Sequence, residues 1–177
     1  MVHGIDFFSV ILLFVIAIQD FKDRKISLML FILLAVLFCW RSLVIADLKQ
    51  VAIDASLSIG FVFLQLFLLT IYFSLRQKKI TNVIDSYLGL GDIVFFFILT
   101  FLFSFFWFVI FFIVSMLISL VFFGLLSIMK KNDKLSIPLA GFMSLQLIGV
   151  YVIAFVSKSF TFRDNILLDQ LTEKYLL

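Results

Sequence analysis

The sequence predicts an all-α membrane protein with six transmembrane helices and both termini outside the cytoplasm. Hydrophobic residues make up 64% of its 177 residues and charged residues 14%. In a soluble domain about 45 to 50% of the residues are hydrophobic and about 25% are charged. The mean hydropathy of +1.26 points the same way. We therefore expect the chain to lie in a lipid bilayer as a single integral membrane domain, residues 1–177.

Five apolar runs supply the predicted spans, each of which needs about 20 mostly apolar residues. They cover residues 7–18, 28–45, 51–75, 93–129 and 137–156. The fourth run, with 37 residues, would extend roughly 55 Å as one helix, nearly twice the hydrocarbon thickness. It is therefore predicted to fold into two helices, with a turn near residues 104–107.

Two of these helices must extend beyond their apolar runs. Residues 7–18 would form a helix only about 18 Å long, so this helix is predicted to continue through Asp20 toward Lys22 or Arg24. The fourth helix is likewise expected to start upstream, near residues 82–86, and to include Asp92. Pro138 stands at the start of the last span, where its missing N–H does not disturb a helix.

The basic residues predict the orientation of the spans. Nine of the 14 follow the first, third and fifth spans: Lys22, Arg24, Lys25, Arg76, Lys78, Lys79, Lys130, Lys131 and Lys134. By the positive-inside rule these loops face the cytoplasm. No Lys or Arg precedes the first span, so we expect it to be retained as an anchor rather than cleaved as a signal peptide. Residues 157–177 would form a short extracytoplasmic tail.

The composition excludes several kinds of chemistry. One cysteine, Cys39, and one histidine, His3, cannot build a zinc site from several His or Cys ligands, and a Ser/His/Asp triad would depend on His3. No metal and no cofactor is predicted. The basic residues are divided among loops rather than gathered in a patch, so no nucleic-acid partner is expected. Carboxylates are the remaining candidates for catalysis.

Asp20 and Asp92 are the candidate catalytic residues. The first helix runs inward and the fourth outward, which brings both carboxylates to a similar depth near the cytoplasmic surface. Two simpler interpretations remain open. Asp92 could cap the fourth helix, and Asp20 could pair with neighbouring Lys or Arg side chains. An Asp in the last turn of a helix, however, meets the negative end of the helix dipole, so local stability does not explain Asp20.

The motifs around these residues resemble a protease family. Residues 20–26 read Asp-Phe-Lys-Asp-Arg-Lys-Ile, and residues 89–92 read Gly-Leu-Gly-Asp. They are similar to the motifs of type IV prepilin peptidases and archaeal preflagellin peptidases, which are GxGD intramembrane aspartyl proteases. Residues 136–141, Ser-Ile-Pro-Leu-Ala-Gly, also resemble the Ile-Pro segment that often begins the last helix of that family.

The resemblance implies that Asp20 and Asp92 form the catalytic pair. The spacing to Ile26 favours Asp20 over Asp23. The implied substrates are pilin-like precursors, whose basic leader is removed at the cytoplasmic face of the inner membrane. The cytoplasmic domain associated with N-methylation is missing, so we predict no methyltransferase activity. The chain departs from the family pattern at Ser27, where a proline is usual, and at Val94, where a lysine is common.

Two adjacent carboxylates can supply both a base and an acid. In a poorly solvated place they cannot both ionise, so the pair shares one proton. Gly89 and Gly91 lack a Cβ and are expected to let the backbone beside Asp92 approach the substrate or the first helix closely. The phenylalanine clusters at residues 95–97 and 105–112 are expected to face lipid, where phenylalanine is favourable.

Two other functions are open to a chain with these features. Val94 and Ser27 favour a non-enzymatic membrane subunit or a small-molecule transporter. The predicted spans argue against this hypothesis, because they carry no ionisable residue near the bilayer midplane. A presenilin-like protease is suggested by the Gly-Leu-Gly-Asp sequence. Such proteases place their two Asp on adjacent spans, whereas two spans separate Asp20 from Asp92.

Overall fold

The computed structural model describes residues 2–24, 26–77, 89–129, 138–157 and 162–163. Over these residues the chain is all-helical, as predicted. The helices are α1 (Val2–Asp23), α2 (Leu28–Ile45), α3 (Leu48–Gln77), α4 (Leu90–Leu99), α5 (Phe105–Met129) and α6 (Leu139–Ser157).

All the described helices except α4 are long and apolar enough to cross a membrane. Large apolar side chains such as Phe67, Leu120 and Phe155 are exposed on their outer surfaces. Because water would penalise so much exposed apolar surface, the molecule is a multi-pass protein embedded in lipid. The ten residues of α4 extend only about 15 Å, half the hydrocarbon thickness. The predicted sixth full span therefore stays a prediction.

The long apolar run is divided into two helices, as predicted, but the turn lies slightly earlier than expected. Helix α4 ends at Leu99 and α5 begins at Phe105. The Asp54 carboxylate of α3 accepts a hydrogen bond from the Phe105 N–H (3.3 Å). This bond occupies one of the amides that the first turn of a helix leaves without an intrahelical acceptor. The start of α5 is thus stabilised by a residue about 50 positions earlier in the sequence. The pattern of apolar residues within the run does not reveal such a distant contact.

The ends of α1 and α4 differ in how well they follow the sequence prediction. Helix α1 continues through Asp20 to Asp23, as expected, and Arg24 follows with a left-handed φ of 52°. Helix α4 includes Asp92 but does not start upstream. Gly89 is extended, with φ −69° and ψ 142°, and the helix begins at Leu90. The predicted start near residues 82–86 is therefore wrong for α4, and those residues lie outside the described part of the chain.

Helix α4 occupies the interior of the bundle. It packs against α2, α3 and α6, while α1 packs against α2 and α6, and α5 packs against α3 and α6. Most of the phenylalanines in the two clusters are buried in this core, among them Phe95, Phe96, Phe108, Phe111 and Phe112. The expectation that both clusters face lipid is therefore wrong, although Phe106 is exposed. Edge-to-face and tilted ring pairs, such as Phe96 with Phe112 at 5.0 Å, fill the space between helices.

A set of charged and polar side chains, buried or partly buried, lies at the end of the bundle away from Asp20. We call Asp6, Arg41, Ser42, Asp54 and Arg163 the distal cluster. Along α1, Asp6 and Asp20 are about 21 Å apart. Arg41 pairs with Asp6 (2.5 Å), and Arg163 pairs with Asp54 (3.2 Å). Buried charges require ion-pair or hydrogen-bond partners. Arg41 and Arg163 each have an ion-pair partner, although the Nη1 atom of Arg41 is buried without a hydrogen bond among the described residues.

Arg163 connects the predicted tail to the helices. Its Nε donates to the Ser42 hydroxyl (3.2 Å), and its Nη2 donates to the carbonyl of Phe101 (3.3 Å) in the turn before α5. The Ser42 hydroxyl donates to the same carbonyl. The Ser104 N–H donates to the Phe162 carbonyl (3.1 Å). Arg163 lies in the segment that the sequence predicts as an extracytoplasmic tail, and the structure shows it to be buried.

Candidate active site

Asp20 lies in the last turn of α1, where it faces the beginning of α6. Its side chain is buried, and the residue is only 6% exposed. One carboxylate oxygen, Oδ2, accepts a hydrogen bond from the Gly141 N–H (2.6 Å). The neighbouring Phe21 ring packs against Phe142 at 5.0 Å. Asp20 is therefore fixed by contacts with α6, and the described ion pairs do not include it.

Asp92 lies in the first turn of α4 and is also directed at the beginning of α6. Its Oδ1 accepts a hydrogen bond from the Ala140 N–H (2.7 Å). Gly89, the N-cap residue of α4, lies directly beside the same carboxylate, since a Cβ on Gly89 would be 3.2 Å from Asp92 Oδ2. The N-cap residue of α4 is Gly89 rather than Asp92, which lies in the first turn of the helix. The capping interpretation of Asp92 is incomplete, because its carboxylate accepts a hydrogen bond from a second helix.

The two carboxylates converge on adjacent backbone amides. Ala140 and Gly141 are consecutive residues in the first turn of α6. Their amide nitrogens lie roughly 3 Å apart, so the two bound oxygens are no more than about 8 Å from each other. Asp20 and Asp92, 72 positions apart in the sequence, thus lie at one end of the bundle in a shared environment, as the sequence predicted.

The position of Asp20 also has an electrostatic explanation. The C-terminal end of α1 disfavours a negative charge, but the N-terminal end of α6 favours one. Pro138 precedes that end and has no N–H, and its carbonyl accepts the Phe142 N–H (3.2 Å). The first-turn amides of α6 therefore need external acceptors, and the two carboxylates provide them. The interaction with α6 offsets the unfavourable end of α1.

The two motif glycines differ in what surrounds them. A Cβ on Gly89 would lie 3.2 Å from Asp92 Oδ2, which is closer than ordinary contact. A Cβ on Gly91 would lie 3.7 Å from Ile26 and 3.9 Å from Phe31, an ordinary van der Waals distance. The close approach of the first helix that both glycines were expected to allow is therefore found at neither position. The close neighbour of Gly89 is the side chain of Asp92 itself, and Gly91 makes only ordinary contacts.

The structure describes the surroundings of both departures from the family pattern, Val94 and Ser27. Val94 is 39% exposed and lies two residues after Asp92, on nearly the opposite face of α4. A lysine there would point away from the two carboxylates. The Ser27 N–H donates to the Gln19 side chain (3.1 Å), which joins the end of α1 to the start of α2. A proline at this position would lack that N–H.

Sequence reasoning did not assign a role to Ala140 and Gly141. Both residues lie in the segment 136–141, whose sequence resembles the start of the last helix in the prepilin peptidase family. The side chains of these residues carry no chemistry, and their backbone amides are what bind the carboxylates. Within the described residues, no group of three or more His, Cys, Asp or Glu side chains could hold a metal ion.

Comparison with models of known protein families, with curated proteins and with solved structures found no match. The geometry of Asp20, Asp92 and the first turn of α6 is therefore the basis for the functional argument below.

Proposed function

We propose that the protein is an intramembrane aspartyl endopeptidase in which Asp20 and Asp92 activate water. The observation that carries the proposal is the binding of both carboxylates to adjacent amides, those of Ala140 (2.7 Å) and Gly141 (2.6 Å). A chain with few other catalytic side chains thus brings together a pair of groups that can act as acid and base. The peptidase resemblance of the motifs around both residues supports the same function.

The chemistry follows from one proton shared between two carboxyl groups. The ionised Asp takes a proton from a water molecule as the water oxygen attacks the peptide carbonyl carbon. The protonated Asp donates its proton to the carbonyl oxygen, which gives a tetrahedral diol. Collapse of the diol breaks the C–N bond, and a carboxyl group returns a proton to the leaving amine. No nucleophilic side chain and no metal is needed in this scheme.

The proposed substrates are pilin-like precursors with a short basic leader followed by an apolar helix. The Lys and Arg residues in the loops after the first, third and fifth predicted spans support a location of the Asp20 end at the cytoplasmic face of the inner membrane. In this proposed topology both termini lie outside the cytoplasm. A leader carrying positive charge would remain on the cytoplasmic side by the same rule, next to the two carboxylates.

The test is cleavage of a reporter that has a basic leader before an apolar helix of about 20 residues, reconstituted with the purified protein in lipid vesicles. Asp20→Asn and Asp92→Asn are each expected to abolish removal of the leader while the protein still accumulates in the membrane. Asp23→Asn is the matched control, because Asp23 is an exposed acid one turn from Asp20 on α1. It should cleave at the wild-type rate.

Cleavage that survives either substitution would contradict the proposal. So would a wild-type protein that leaves all such reporters intact. Uptake of a small molecule that persists in both Asp→Asn variants would instead favour a transporter.

A further inference from the structure

The first turn of α6 holds the candidate catalytic pair from one side. Of the residues that begin this helix, Pro138 has no N–H, and the next amides include those bound to Asp92 and Asp20. Each carboxylate uses one oxygen for this contact. The relative position of the two acids thus depends on how closely α1 and α4 approach α6.

Gly141 permits the approach of α1. A Cβ at this position would lie 3.0 Å from Asp20 Oδ2 and 3.1 Å from Asp20 Cβ. It would also lie 3.3 Å from Cε2 of Phe21. The Cβ atom of Asp20 is attached directly to the backbone, so rotation of the side chain does not relieve that contact. Adding a methyl group would therefore move the Asp20 carboxylate away from its amide by a few tenths of an ångström.

We propose that Gly141 is a positioning residue of the active site, which sets the distance and orientation of Asp20 relative to Asp92 by allowing α1 to pack directly on the first turn of α6. This inference rests on the proposed function. The residue itself touches neither substrate nor water in this role. It acts through Asp20, and any larger residue at position 141 would misplace the base or acid that Asp20 supplies.

Gly149 provides a matched control on the same helix. A Cβ there would meet no atom within 4 Å. In a helix interior Ala is more favourable than Gly. If a glycine makes no special contact, its replacement by Ala should therefore stabilise the protein. If the contact with Asp20 matters, Gly141→Ala should destabilise the protein while Gly149→Ala stabilises it. If the contact does not matter, both substitutions should stabilise the protein.

The first measurement is cleavage of the vesicle reporter by Gly141→Ala and Gly149→Ala. We expect kcat to fall about tenfold or more in Gly141→Ala with little change in KM, because small displacements of a reacting group have large effects on rate. Gly149→Ala should keep both constants. Wild-type kcat in Gly141→Ala would overturn the proposal, as would an equal loss in both variants.

The second measurement is thermal unfolding in detergent, which requires no catalytic activity. Gly141→Ala should lower the unfolding midpoint in the wild-type background. In an Asp20→Gly background, where both close Asp20 side-chain atoms are gone, it should lower the midpoint much less or raise it. Gly149→Ala should have the same effect in both backgrounds. Equal effects of Gly141→Ala in both backgrounds would refute the contact.

The two measurements separate failure of the positioning role from failure of the proposed function. If the wild-type protein cleaves no reporter but the unfolding midpoints are coupled, the peptidase assignment is wrong and Gly141 still positions Asp20. If Gly141→Ala cleaves normally and the midpoints are uncoupled, the positioning role is wrong and the peptidase assignment stands.

Discussion

Replacement of Arg163 by Met tests whether the distal cluster stabilises the bundle. The Arg163 side chain is 2% exposed and that of its partner Asp54 is 15% exposed. Met has a similar length and no charge. The substitution therefore leaves the Asp54 carboxylate buried without its cation, and it removes the hydrogen bonds to Ser42 and to the Phe101 carbonyl.

The expected cost is large for a single substitution. At the observed separation of 3.2 Å, two unit charges attract each other by about 5 kcal/mol for an effective dielectric constant near 20. Removing one partner of a buried pair typically costs about 3 to 5 kcal/mol, because the other charge remains buried. We therefore expect Arg163→Met to lower the free energy of unfolding by about 3 kcal/mol or more.

The double variant Arg163→Met, Asp54→Leu separates the ion pair from its surroundings. With both charges gone, most of the loss should be recovered. A remaining deficit of about 1 kcal/mol is expected, since the Phe105 N–H loses the carboxylate that caps α5. Arg76→Met is the matched control, because Arg76 is exposed on α3 and should change stability by less than about 0.5 kcal/mol.

The assay is equilibrium unfolding of the purified protein in mixed micelles, followed by circular dichroism as the fraction of denaturing detergent is raised. A loss below about 1 kcal/mol for Arg163→Met, similar to that of an exposed pair, would refute the reasoning. A double variant that is less stable than Arg163→Met would also contradict it, since the unpaired carboxylate would then not be the source of the loss.

Two further predictions use the same assays. Gly89→Ala should slow leader cleavage several-fold, because the added Cβ would lie only 3.2 Å from Asp92 Oδ2. Gly60→Ala is the control and should cleave at the wild-type rate, since a Cβ there meets no atom within 4 Å. Equal cleavage rates in the two variants would show that the contact with Asp92 is unimportant. Phe108→Ala should lower the free energy of unfolding by about 3 to 5 kcal/mol, because Phe108 is fully buried. Phe67→Ala, at a position 62% exposed, should cost less than about 1 kcal/mol; similar costs for both would place the clustered rings against lipid.

Much of the fold was predictable because lipid imposes simple rules. A helix must satisfy its own backbone in the bilayer, so apolar runs of sufficient length become helices. This rule gave the all-α class and the division of the long run after residue 93. The same length argument correctly predicted that α1 continues through Asp20. It failed at α4, where Gly89 is extended and the helix begins only at Leu90.

The candidate catalytic residues were also identifiable from the sequence, because chemistry requires particular side chains and few were available. Asp20 and Asp92 were selected by their motifs and by the expected depth of their helices. The glycine requirement was predicted only in part. Whether a position tolerates a Cβ depends on its neighbours in the folded chain. At Gly89 the close neighbour is the Asp92 side chain, and at Gly141 it is Asp20 of another helix.

The sequence by itself determined that the chain is helical and that it belongs in a membrane, and it identified Asp20 and Asp92 as candidates for catalysis. The tertiary structure alone decided which groups those acids contact and which charges are buried. Ala140 and Gly141 act through backbone amides, which every residue except proline carries, so their side chains give no sign of the role. Arg163 and Asp54 meet across more than 100 positions, and only the packing of the helices brings such distant charges together.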